Sequence, residues 1–228
     1  MGYSGFDFPA KLDHKLNFPV YQINAAIAYK KFYAVVNLAD SLSDADVSEE
    51  EDVGTASRYD RDLSLGYQVT PNWGVFVGYK TGATEIDYYT REDLDSGGPA
   101  AVRKESYLQE GPFIGASYTI KFSRAGKLSL SLAYAYLDAT NTFVQDVEDD
   151  DDDDDEAPEF DDLTGTVKGK ATGLSYGIRW SIPVAGNLLY YAAFKVNDYK
   201  QDLTVDGTRY NDIDQTITYL TTGIVFIY

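Results

Sequence analysis

The chain has 228 residues, of which 44% are hydrophobic and 25% charged, with a formal charge of −18. That length admits one large β domain or two small ones, and so acidic a chain excludes a nucleic-acid surface, which must be basic. Cysteine is absent, which removes disulfides and thiolate chemistry, and no run approaches the ~18 apolar residues of a membrane-spanning helix.

In chain order, the recurrent signal is an alternation of period two. "GYSGFDFPA" (2–10) reads as a poor strand, because Pro9 has no N–H to donate, and "KLDHKLNF" (11–18) reads as a loop. Nine clearer strands are predicted at 20–29, 32–42, 58–69, 73–87, 106–122, 127–143, 166–182, 188–203 and 213–228. In "WGVFVGYKTG", Trp73, Val75, Val77 and Tyr79 oppose Gly74, Phe76, Gly78 and Lys80. In "KLSLSLAYAYL", Leu128, Leu130, Leu132, Tyr134 and Tyr136 oppose Ser129, Ser131, Ala133 and Ala135. "ATGLSYGIRWSI" sets Leu174, Tyr176, Ile178 and Trp180 against Gly173, Ser175, Gly177 and Arg179.

Short turns fall at Lys30-Lys31, "TPN" (70–72), "SRAG" (123–126) and "VAGN" (184–187). Long polar loops are expected at 43–57, 88–105, 144–165 and 204–212. Short and long in strict alternation describe an up-and-down barrel with turns at one rim and loops at the other. A soluble barrel points its apolar face inward. Here the second face is Gly, Ser, Ala and Thr, which suits a narrow interior better than a wet exterior, so the large apolar face is expected to meet lipid. Tyr29, Phe32, Trp73, Phe122, Trp180 and Tyr190 sit at the short-turn ends with the parity of the apolar face, as an interfacial aromatic girdle requires. At the other chain end, "LTTGIVFIY" alternates through Ile224 and Phe226 to Tyr228.

These features resemble the outer-membrane β-barrel proteins of Gram-negative bacteria, whose last strand ends in an aromatic residue read by the assembly machinery. The resemblance implies an all-β, transmembrane, up-and-down antiparallel barrel over 1–228. Its short turns would be periplasmic and its long loops extracellular. Ile224, Phe226 and Tyr228 would form the assembly signal. It also implies a bacterial outer-membrane location, a mature form (no secretory signal opens the sequence), and lipid, lipopolysaccharide and the assembly machinery as partners, with no oligomeric state specified. Because such barrels have even strand numbers, the 2–10 segment is taken as the tenth strand, with eight and twelve as alternatives.

Catalysis in this class needs a histidine near the rim or wall, and the single histidine, His14, falls on a predicted loop, so no enzyme is expected. No cofactor is expected. The acidic run Glu148, Asp149, Asp150, Asp151, Asp152 within loop 147–162 could offer carboxylates to Ca²⁺ or Mg²⁺, but it lacks ion-wrapping spacing and reads first as a solvated, self-repelling loop. Lumen-lining charges are expected at Asp62, Lys80, Lys121, Arg179 and Lys195, with Asp62 and Lys80 meeting across the hairpin. Two functions follow. One is a narrow pore for small polar solutes. The alternative is a non-conducting surface barrel whose extracellular loops bind a partner. A soluble lipid-binding barrel is argued against by the girdle.

Overall fold

A computed structural model describes residues 2–8, 14–49, 52–90, 103–123, 125–145, 165–205 and 208–226. They form one antiparallel sheet of β1 (Gly2–Phe8), β2 (His14–Tyr29), β3 (Phe32–Ser41), β4 (Ala45–Glu49), β5 (Asp52–Gln68), β6 (Trp73–Thr90), β7 (Arg103–Phe122), β8 (Gly126–Gln145), β9 (Gly165–Ala185), β10 (Leu188–Val205) and β11 (Thr208–Phe226). Each strand pairs with its sequence neighbours except β3 and β4, which do not pair with each other; β3 pairs with β5 and β1 with β11, so the circuit closes. β3 and β4 both lie along β5, the one after the other, and together make a single interrupted strand. Counted that way the barrel has ten strands.

Several expectations need correction. The 11–18 segment is not all loop, because β2 begins at His14 and its Leu16, Phe18 and Val20 are buried. The 43–57 segment holds β4 and the start of β5. At 204–212 the strands run on, and β10 and β11 pair as far as Val205 and Thr208. Polar composition misled at the first two, where Leu16, Phe18, Val47 and Ala56 are buried among polar neighbours.

The turns behave as their composition asks. Lys30 takes a left-handed φ of 57° between β2 and β3, and Gly186 takes 47° between β9 and β10. The β5–β6 turn is tied by Val69 N–H to the Trp73 carbonyl at 2.9 Å and by Trp73 N–H to Thr70 Oγ1 at 3.0 Å.

Outside, at the short-turn end, the wall is an apolar belt. Leu63, Leu65, Val75, Val77, Tyr79, Ile114, Leu132 and Tyr134 are all exposed. Segments such as Leu128–Tyr136 match the ~9–11 residues a tilted strand needs to cross hydrocarbon. β7 and β8 are 20 residues long, however, so roughly half of each extends past the belt. The change comes along one cross-strand row of outward positions, Arg61, Thr81, Glu110, Asp138 and Lys170.

Inside, the chemistry is the reverse. Past that row the interior is a packed apolar cluster including Phe18, Val47, Ile86, Tyr88, Phe143, Leu203 and Ile217. The expectation that large residues point outward along whole strands therefore holds only within the belt. β6 shows why, because its ladder with β5 is unbroken from Gln68–Gly74 to Asp52–Thr90. The parity of the backbone never slips. What changes is the outer medium, from lipid to water, so the apolar side chains move from the odd positions (Val75, Val77, Tyr79) to the even ones (Ile86, Tyr88).

The inward glycines in the belt region have a specific task. Tyr33 lies opposite Gly66, and a Cβ there would sit 2.0 Å from its ring. Phe113 and Gly78 (2.3 Å), Phe76 and Gly115 (2.5 Å) and Tyr191 and Gly223 (2.8 Å) repeat the arrangement. Each ring lies flat along the wall over a missing side chain, as in aromatic rescue of sheet glycines.

Candidate functional site: the lumen

Between the apolar cluster and the turn-side interior lies a layer of buried polar side chains. Arg58, 5% exposed, makes a two-pronged contact with Asp60 (Nε to Oδ2 2.8 Å, Nη2 to Oδ1 2.9 Å) and donates from Nη1 to Thr84 Oγ1 at 2.7 Å. Tyr219 donates its hydroxyl to Asp60, and Gln109 donates to Gln215 across the lumen. Lys80, on β6, donates to the Tyr199 hydroxyl on β10 at 2.9 Å, and Tyr199 also bonds Ser175 at 3.0 Å. Buried charges persist only when paired and hydrogen-bonded, and Arg58–Asp60 meets that condition. Farther out, past the belt, burial and the adjacent Glu105 carboxylate hold the Tyr107 phenol well above its ordinary pKa, so it donates to Glu105 at 2.7 Å.

Below the layer, within the belt, is a cavity of about 400 Å³. Ser64, Ser117, Ser129, Ser131 and Ser175 give it a hydroxyl arc, Phe76 and Phe113 an apolar wall, and Asp62, Lys80, Arg179 and Lys195 its charges. A smaller cavity of about 120 Å³ adjoins it and shares Asp62, Lys80, Arg179 and Lys195, adding Asn24 and Asn197. On the outer wall a third hollow, about 570 Å³, lies beside Pro112. There the β7–β8 ladder skips Gly111 and Pro112 between Glu110–Asp138 and Phe113–Ala135.

Four of the five expected lumen charges thus line the cavities, and Lys121 is the exception. It has inward parity but stands exposed at the turn-side rim, paired across the ladder with Lys127. Asp62 and Lys80 occupy opposed positions, yet their ends do not meet. Asp62 accepts from Asn37 Nδ2 at 2.6 Å, while Lys80 crosses to Tyr199. Tyr29, Phe32, Trp73, Phe122, Trp180 and Tyr190 lie on the outer wall at 38–70% exposure. Trp180 donates its indole N–H to the Ala125 carbonyl in the adjoining turn at 2.8 Å. Ile224 and Phe226 face outward near the end of β11, and Tyr228 lies outside the described residues. So do Glu148, Asp149, Asp150, Asp151, Asp152 and all of 147–162. Among the described residues no group of three His, Cys, Asp or Glu is placed to hold a metal ion.

Sequence reasoning missed Arg58, Asp60, Tyr199, Tyr219 and Asn197. Their inward parity was legible, but which of them meet across the lumen depends on the barrel's closure.

No family model and no curated sequence matches the chain. Among solved structures, the outer membrane protease OmpT from Escherichia coli is similar over 100% of this chain and 93% of its own, with a TM-score of 0.53 and 13% identity. The fold is that of the outer-membrane β-barrels. Weaker likenesses are to the translocator domain of the autotransporter NalP from Neisseria meningitidis (TM-score 0.45, 10% identity, 100% of this chain and 87% of that one). Another is the outer membrane protein AlkL (TM-score 0.38, 11% identity, 100% and 89%). At such identities the likeness is one of fold, and function has to be argued from the site.

Proposed function

We propose that the chain is an outer-membrane barrel that passes small polar solutes through a narrow, gated lumen. Its short turns are periplasmic and its loops extracellular. One observation carries this reading: a cavity of about 400 Å³ lies inside the apolar belt, with serines, Lys80, Arg179 and Lys195 set among its apolar lining. The packed outer half is the gate, and solute crosses only when its side chains part. Membrane lipid and lipopolysaccharide surround the wall, and the assembly machinery reads Ile224, Phe226 and Tyr228.

No catalytic role is part of this reading. OmpT is a protease, but here the sequence has one histidine, His14, at the first position of β2. The second reading, a non-conducting barrel that presents its loops, is favoured by the apolar cluster, where Phe18, Tyr88 and Ile217 are each 0% exposed.

Planar-bilayer recording separates the two. The channel reading expects brief, small openings from the wild type and larger or longer ones from Phe18→Ala, which thins the gate. Silence from both proteins, each shown to be folded by the gel shift on heating, contradicts the channel and leaves the surface barrel.

A further inference from the structure

Where the two lumen cavities adjoin, the barrel gathers three cations, none of them paired with a carboxylate among the described residues, and buried amide groups without partners. Lys80, Arg179 and Lys195 line both cavities. The Arg179 guanidinium rests on the Tyr191 ring, 4.0 Å from its centroid, and has no carboxylate or hydrogen-bond partner among the described residues. Lys195 is its diagonal neighbour, since Arg179 pairs with Ala193 and Lys195 with Gly177, where no side chain stands in the way. The carboxylates on these walls are engaged, Asp62 by Asn37 and Asp60 by Arg58. In a chain of formal charge −18, this spot has an excess of positive charge.

Beside it, Asn197 is 1% exposed, and neither its Nδ2 nor its Oδ1 has a partner. Because both ends are open, the observation does not depend on which end is nitrogen. Asn24 Oδ1, on the same cavity, is also buried without a partner. Buried polar groups are almost always satisfied, so these atoms ask for something to fill the space between them. They ask for particular chemistry: an anion for Arg179 and Lys195, and hydroxyl donors for the two amide oxygens.

We propose that this site binds a small hydroxycarboxylate. Its carboxylate meets Arg179 and Lys195, its hydroxyls donate to Asn197 and Asn24, and its remaining length lies in the larger cavity along the serine arc. The inference rests on the channel reading for the route by which the ligand arrives, so it is tested by binding and not by current.

The probe is gluconate, titrated calorimetrically into the full-length barrel in detergent, with sorbitol (hydroxyls without charge) and hexanoate (charge without hydroxyls) as comparisons. Gluconate is expected to bind one to one and at least about tenfold more tightly than either. Arg179→Gln should weaken it by a similar factor. Asn197→Leu replaces an unsatisfied amide with an apolar side chain of similar size, so heat stability should hold or rise while gluconate binding is lost. A merely structural asparagine would not separate the two readouts. No gluconate binding to a folded barrel overturns the proposal, as does equal binding of sorbitol or hexanoate, or wild-type affinity in both variants. A barrel that binds gluconate but never conducts keeps the site and rejects the channel. One that conducts without binding gluconate does the reverse.

Discussion

Asp62 and Lys80 stand directly opposite one another on the β5–β6 ladder, both turned into the barrel, and they do not pair. Asp62 is held by Asn37 on one side, and Lys80 reaches over the lumen to Tyr199, whose ring also lies 4.9 Å from its ammonium. These two charges are therefore held by neutral partners, and neither neutralises the other.

Asp62→Asn should accordingly leave thermal unfolding nearly unchanged, because Asn37 keeps an acceptor and Lys80 keeps Tyr199. In a salt gradient, the reversal potential of any current should move toward anion selectivity. A large fall in unfolding temperature would show that the two charges depend on each other after all.

Asp60 differs, since it is the carboxylate that Arg58, itself 5% exposed, grips with two nitrogens. Asp60→Ala strands that guanidinium and should cost about 3–5 kcal/mol in denaturant unfolding. Replacing both residues with apolar ones of similar volume should cost much less. Equal losses in the single and double variants would mean that the pair is not a unit.

Two glycines should respond differently to alanine. At Gly66 the new Cβ meets the Tyr33 ring, which can swing into the lumen. At Gly173 it meets the Asp198 carbonyl oxygen at 2.0 Å, and that backbone can move only by parting β9 from β10. Gly173→Ala should therefore reduce the yield of heat-shiftable barrel far more than Gly66→Ala. Tyr33→Ala should relieve the Gly66 variant and do nothing for the Gly173 one.

The end of β11 pairs Phe226 with Leu188 and turns Ile224 and Phe226 outward. Deleting Phe226–Tyr228 removes an apolar anchor at the turn-side rim and should sharply lower the fraction inserted by the assembly machinery. Normal insertion of the truncated chain in cells would rule out the terminal signal.

The barrel was legible because lipid and lumen impose opposite chemistry on alternate residues, and Val75, Val77 and Tyr79 obey it without exception. The register was equally legible, since "TPN" fixes the β5–β6 turn and places Asp62 opposite Lys80. The outer half was misread because the rule inverts there. Leu16, Phe18 and Val20 have the opposite parity to Ile23 and Ile27 on the same strand, and a sign change within one strand looks like a loop boundary when only one medium is assumed. The Arg58–Asp60–Tyr219 and Lys80–Tyr199 contacts join residues more than a hundred positions apart in all but the first link. No local pattern encodes such contacts.

That inversion is the central claim, and spin labelling along β6 tests it most directly. The natural chain has no cysteine, so single cysteines at Val77, Tyr79, Glu85, Ile86, Asp87 and Tyr88 can each carry a nitroxide in the reconstituted barrel. Collision with lipid-dissolved oxygen should dominate at 77 and 79. Collision with a water-soluble nickel chelate should dominate at 85 and 87, and positions 86 and 88 should be shielded from both. If 85 and 87 are as oxygen-accessible as 77, or if 77 is reached chiefly by the chelate, the strand does not pass from lipid to water where its apolar face changes sides.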